Sequence, residues 1–150
     1  MNIYKEKLIK RAEELNICDI SSFVYHHPCF ELWSGSSDSN KHHYGTGGLI
    51  QHTSEVVDLC FSSVITLGLE FRKEIDPIEL YLSALFHDVG KIWDYEPVNV
   101  DPETYEPKQN IDSRTAWIKT EHKRLIHHVS RSVIFWNNAC ARYQDKYGYY

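Results

Sequence analysis

Histidine and aspartate stand side by side at the end of an apolar segment, Leu82-Ser83-Ala84-Leu85-Phe86-His87-Asp88. Burying either group without a partner is costly. A divalent cation is one partner that serves both, because imidazole nitrogen and carboxylate oxygen are ordinary ligands for Mn, Fe, Co, Ni or Zn, and carboxylate also suits Mg. A third candidate ligand, His52, lies between Leu49 and Val56 in an upstream apolar stretch, so it points inward with that face. Spacing alone leaves a second reading open. A histidine on an apolar face is often a hydrogen-bonded core residue, and clustered His and Asp are only a candidate signature of a metal site. The chain holds nine histidines, but their placement carries more information than their number.

The elements that must position these groups read almost entirely as helix. Residues 3–16 carry Ile3, Leu8, Ile9, Ala12 and Leu15 near helical spacing, whereas the aromatic-rich residues 21–33 are ambiguous. Residues 34–46 form a polar loop, and Gly47-Gly48 opens a helix with Leu49, Thr53, Val56, Cys60 and Val64 on one face. The next helix has the clearest start, with Asp76 as N-cap, Pro77 at the first position and Glu79 completing a capping box. Gly90 is placed to end it and to let adjacent His87 and Asp88 turn toward one ion. Residues 94–112 hold Pro97, Pro102 and Pro107 and read as a long loop. A last helix is expected from about Ala116 or Thr120 to about Arg142. The expectation is an all-α, single compact domain of about five helices, with no convincing strand pair.

Bulk properties narrow the function classes. A chain of 150 residues suits one core. No apolar run approaches the roughly 20 residues needed to cross a bilayer. The amphipathic, charged start carries no signal-peptide core, so a cytoplasmic protein with no membrane partner is the default expectation. Cys18, Cys29, Cys60 and Cys140 form no CxxC pair, which argues for free thiols rather than a zinc knot or disulfide framework. The net charge of −5 divides into −10 over residues 1–106 and +5 over residues 107–150. The basic last third could face an anionic substrate or dock against the acidic remainder. The overall acidity disfavours nonspecific binding to long duplex DNA.

The segment HHYGTGGLIQHTSEVV (His42 to Val57), followed by LFHDVGKIWDYE (Leu85 to Glu96), resembles the HD phosphohydrolase superfamily. Within it the likeness is nearest to the HD-type 3′→5′ exoribonucleases and their single-domain relatives, and it extends to TEHKRLIHHV (Thr120 to Val129). The resemblance implies an HD-type helical domain. It implies that His52 is the first metal ligand, that His87 and Asp88 are the central doublet, and that the metal binds substrate phosphate and activates water. It matches Lys91 to a lysine that reaches a phosphate or a ligand carboxylate. His128 corresponds to a histidine that completes a second metal site, and His43 to a phosphate contact or proton donor. His26, His27 and His122 have no counterpart and read as surface or packing residues.

The chain departs from the family where a late aspartate normally closes the site. Asp145 is the favoured replacement and Asp112, in the loop, the weaker one. His128 taking over as ligand and a truncated chain with an incomplete site are the alternatives. Three functions follow: hydrolysis of a phosphomonoester or phosphodiester in a small nucleotide, 3′→5′ trimming of short single-stranded nucleic acid, or binding of a nucleotide or protein without turnover. Tyr44, Trp93, Tyr95 and Tyr105 flank the motifs and are candidates for stacking on a base, although aromatics more often fill core and rim.

Overall fold

The structure, a computed structural model, describes residues 2–98 and 110–147. Among them are seven α-helices: α1 (Ile3–Glu14), α2 (Cys18–Tyr25), α3 (Gly48–Thr66), α4 (Leu69–Glu74), α5 (Pro77–Phe86), α6 (Glu121–Leu125) and α7 (His128–Tyr147). A 3₁₀ helix (Val89–Trp93) follows α5, and two short strands, β1 (Tyr95–Pro97) and β2 (Trp117–Lys119), pair antiparallel. The chain is thus all-α in class, with more and shorter helices than the sequence suggests. Tyr105, Pro102 and Pro107 lie outside the described residues.

Helices α1, α3 and α5 pack side by side through Leu8, Ala12, Leu49, Ile50, Val57, Tyr81 and Leu85, all buried. The Tyr81 hydroxyl donates to the Leu8 carbonyl at 2.8 Å, so the one polar atom of this large core side chain is satisfied. The expected start of α5 is observed, and α1 has a cap of the same kind. Asp76 caps α5 by accepting from the Ile78 N–H at 2.7 Å, and Asn2 does the same for α1 from Tyr4 at 3.0 Å. No helix of the described residues is long and apolar enough to cross a membrane.

Three local expectations are corrected. The long C-terminal helix is broken into β2, α6 and α7, because residues 117–119 pair with residues 95–97 and Ile126 adopts extended dihedrals between the two helices. Trp117 is buried in this pairing, with its ring 5.3 Å from that of Trp33. Helices α2 and α4 form from stretches whose periodicity was ambiguous or too short to declare itself. Gly90 does not end α5. That helix stops at Phe86, with His87 as its C-cap, and Gly90 lies inside the 3₁₀ helix.

The reason for glycine at position 90 is close approach. A Cβ there would collide with the His128 carbonyl, the Ser132 backbone nitrogen and the Arg131 Cβ. The 3₁₀ helix therefore presses directly on the first turns of α7, and the Gly90 N–H donates to Ser132 Oγ at 2.9 Å. Gly48 has a similar role, since its Cβ would run into the backbone carbonyl of His43 and hold the 34–46 loop off α3. Replacing Gly90 with alanine is expected to lower stability by about 1–3 kcal/mol, the usual range for overpacking. Urea unfolding of the two proteins would measure it, and an unchanged midpoint would contradict the contact.

Candidate metal centre

The C-terminal end of α5 supplies two of the converging groups. His87 caps the helix, and its Nδ1 meets the Ala84 carbonyl at 2.7 Å, one of the carbonyls that a helix end leaves free. In the neutral ring this places the proton on Nδ1 and leaves the Nε2 lone pair facing forward, the usual way a protein orients a histidine toward a metal. Asp88 has φ −120° and ψ 8°, off the helical line, which turns its carboxylate toward the same point. His52 reaches in from the second turn of α3.

These three groups close a triangle. His52 Nε2 lies 3.1 Å from Asp88 Oδ2, His87 Nε2 lies 3.2 Å from His52 Nε2, and His87 Nε2 lies 3.3 Å from Asp88 Oδ2. Ligands held about 2.1 Å from a common ion stand about 3.0 Å apart in an octahedral arrangement and about 3.4 Å apart in a tetrahedral one. The observed sides fall between the two. A point about 2.1 Å from all three atoms sits about 1 Å out of their plane, with its far side open for water or substrate. Lone pairs meeting at such distances require a proton or a cation among them. Among the described residues, His52, His87 and Asp88 are the group of His, Cys, Asp and Glu side chains that could hold a metal ion.

Asp88 has further partners. Lys91 Nζ is 2.6 Å from Oδ2, and His128 Nε2 is 3.2 Å from Oδ1. Burial pushes the Asp88 carboxyl up, but hydrogen bonds from His52, His87 and Lys91 outweigh it and hold the group well below the ordinary range. Burial pushes His87 down, and its bonds to Asp88 and to the Ala84 carbonyl reverse that, so it is raised. His128 is lowered, chiefly by burial.

Behind His128 stands a residue that the sequence reading passed over. Asp94 is fully buried, and its Oδ2 lies 3.3 Å from His128 Nδ1 and 3.4 Å from Lys123 Nζ, while its Oδ1 pairs with the Arg131 guanidinium. The signal was a carboxylate set between the aromatic residues Trp93 and Tyr95, which demands a buried partner. Lys123 and Arg131 are thus turned inward on Asp94, so part of the basic last third docks against its own acidic groups rather than facing outward.

Other expected site residues are placed elsewhere. Asp145 is exposed near the far end of α7, 17 residues beyond His128. At 1.5 Å per residue that is about 25 Å along the helix, so it does not close the centre. Asp112 faces Arg114 at 3.5 Å and is not part of the cluster. His43 comes close but is otherwise engaged. Its ring lies 4.7 Å from that of His52, and its Nε2 is 2.8 Å from the Glu55 carboxylate, so it buttresses His52 instead of offering a free donor to phosphate. Tyr95 is buried with its hydroxyl on Lys123, Tyr44 meets the Trp117 backbone, and Trp93 packs 6.0 Å from Phe135.

Two outcomes follow from this geometry. Asp94→Ala strands the Arg131 charge in a buried setting and should cost about 3–5 kcal/mol in chemical denaturation, whereas Asp145→Ala should be near neutral. Calorimetric titration with Mn²⁺ or Zn²⁺ should give one tight site, weakened at least about tenfold by His52→Ala, His87→Ala or Asp88→Ala, since even the outer partners of metal ligands carry that much affinity. Unchanged affinity in all three variants would remove the metal centre. No family model matches the chain, and neither does any curated protein or solved structure.

Proposed function

We propose that this chain is a divalent-metal-dependent phosphohydrolase of the HD type that cleaves a phosphoester bond in a small nucleotide-like substrate. The observation that supports the reading most is the triangle of His52 Nε2, His87 Nε2 and Asp88 Oδ2, with sides of 3.1–3.3 Å, at the end of an apolar helix. The likeness of the GGLIQHT and HDVGK segments to HD phosphohydrolases supports the reaction class.

A divalent ion bound there would neutralise charge on phosphoryl oxygens and lower the pKa of a water. The remaining work falls to side chains. Asp88, held ionised by its neighbours, is the anionic ligand. Lys91, on the same carboxylate oxygen, adds a positive charge where the phosphoryl group would arrive. His128 is oriented through Nδ1 by Asp94 and stands beside the ligand triangle with its Nε2 3.2 Å from Asp88 Oδ1, where it holds the second oxygen of the anionic ligand in place. In the balanced reaction water adds to phosphorus, the ester P–O bond breaks, and an alcohol and inorganic phosphate, or a phosphomonoester in the case of a diester, are released.

One observation favours a second reading. Lys91 Nζ lies 2.6 Å from Asp88 Oδ2 and can neutralise the carboxylate without any metal, as a nucleotide-binding domain without turnover would require. Phosphate release from a nucleotide panel, with Mn²⁺, Co²⁺, Ni²⁺ and Mg²⁺ added in turn, separates the two. The enzyme reading expects metal-dependent release that falls at least about a hundredfold in Asp88→Ala, the scale lost with one preorganised charge-stabilising group. Tight nucleotide binding with no release under any metal would establish the second. An end-labelled oligonucleotide in the same assay should remain at full length, whereas stepwise shortening would assign a 3′→5′ exonuclease instead.

A further inference from the structure

Helices α5 and α7 do not close on each other along their whole length. Between them runs a groove of about 600 Å³, within the size range of small-molecule sites. Its walls are helix faces at i, i+3, i+4, i+7 spacing: Glu79, Leu82, Ser83 and Phe86 from α5, and Val129, Ser132, Val133 and Trp136 from α7. His87 and Asp88 also line it, so the groove opens directly onto the metal-ligand triangle. From Glu79 to His87 the α5 wall runs about 12 Å, at 1.5 Å per residue.

Its chemistry is specific in two respects. The walls are mostly apolar, and Val129 and Val133 stand 51% and 54% exposed along the groove. The Trp136 ring stands edge-on to Phe86, with centroids 4.8 Å apart, giving the groove an aromatic wall. No lysine or arginine lines it, and Glu79 contributes a carboxylate. The cations nearest the centre are already engaged, Lys91 by Asp88 and Lys123 and Arg131 by Asp94. A second or third phosphate would find no partner here.

Resting on the phosphohydrolase reading, we infer that this α5–α7 groove receives the flat apolar moiety of a phosphomonoester whose single phosphate lies at His52, His87 and Asp88. Trp136, Phe86 and Val133 thereby set specificity. The groove selects aromatic monoesters, nucleoside monophosphates included, over small alkyl esters, and the lack of cations selects them over triphosphates.

The test uses the full chain loaded with Mn²⁺ and two pairs of probes. The first pair is 2-phenylethyl phosphate and ethyl phosphate, whose leaving alcohols are similar, and the second is adenosine mono- and triphosphate. Both affinity, by calorimetry, and kcat/KM are measured. The 2-phenylethyl ester should exceed the ethyl ester by at least about tenfold, mainly through KM, since even one methylene in an apolar pocket can carry that factor. The monophosphate should likewise exceed the triphosphate. Trp136→Ala should bring the two esters close to parity, with Trp136→Phe retaining part of the preference. Val133→Glu, at an exposed position that threatens folding less, should also erode it.

Equal binding and equal kcat/KM for the two esters would overturn the inference, as would a preference that survives in both Trp136→Ala and Val133→Glu. A dimer in sedimentation that Val133→Glu dissociates, without effect on ester preference, would assign the groove to a second copy and overturn it as well. If no ester is hydrolysed under any metal, the hydrolase reading fails. Selective calorimetric binding of the 2-phenylethyl ester, lost in Val133→Glu, would then still support the groove assignment.

Discussion

Asp88 is 7% exposed, and its carboxylate faces four polar side chains: His52 on α3, His87 at the C-cap of α5, Lys91 in the 3₁₀ helix and His128 at the start of α7. A buried carboxylate can remain ionised only if its surroundings return what water supplied. Here imidazoles and an ammonium do so, and in doing so they fix where α3, α5 and α7 meet. This charged junction and the apolar packing beneath it together determine how α3, α5 and α7 sit against one another.

A second buried carboxylate extends the same logic outward. Asp94 takes Arg131 and Lys123 and holds His128 through Nδ1, so the first turns of α7 are tied to the 3₁₀ helix by charge. The tie requires close backbone approach, which is why Gly90 faces the His128 carbonyl without a Cβ. His128 is therefore positioned from both sides, by Asp88 at Nε2 and by Asp94 at Nδ1. The basic character of the last third of the chain finds its structural use here. Two of its cations, Lys123 and Arg131, neutralise the buried Asp94 beside the centre.

What is left uncovered is apolar. Where α5 and α7 diverge, Val129, Val133 and Trp136 face a groove that ends at His87 and Asp88. A polar, charge-rich junction beside an apolar, cation-free groove is an asymmetric environment. On the proposed hydrolase reading, that environment suits a ligand with an anionic end and a flat apolar end better than a polyanion, which would meet Glu79 along the way.

Much of this molecule was legible in the one-dimensional pattern. Helical periodicity marked α1, α3 and α5, Asp76 and Pro77 marked where α5 begins, and the same periodicity turned His52 inward and put the His87-Asp88 doublet at the end of an apolar segment. These features are local: they depend on residues within a few turns of one another, and cap chemistry and the 3.6-residue repeat encode them directly. The remaining features depended on partners distant in sequence. The strand pair of residues 95–97 with 117–119 broke an otherwise continuous helical pattern, and Gly90 proved to be a packing glycine because α7 lies against it. Asp94 became part of the site, and Asp145 did not, because α7 starts at the centre and runs away from it. A sequence shows which side chains can bind a charge, but which charges are brought within 3–4 Å is decided only when the helices pack, because electrostatic partnership depends on distance in space and not on separation along the chain.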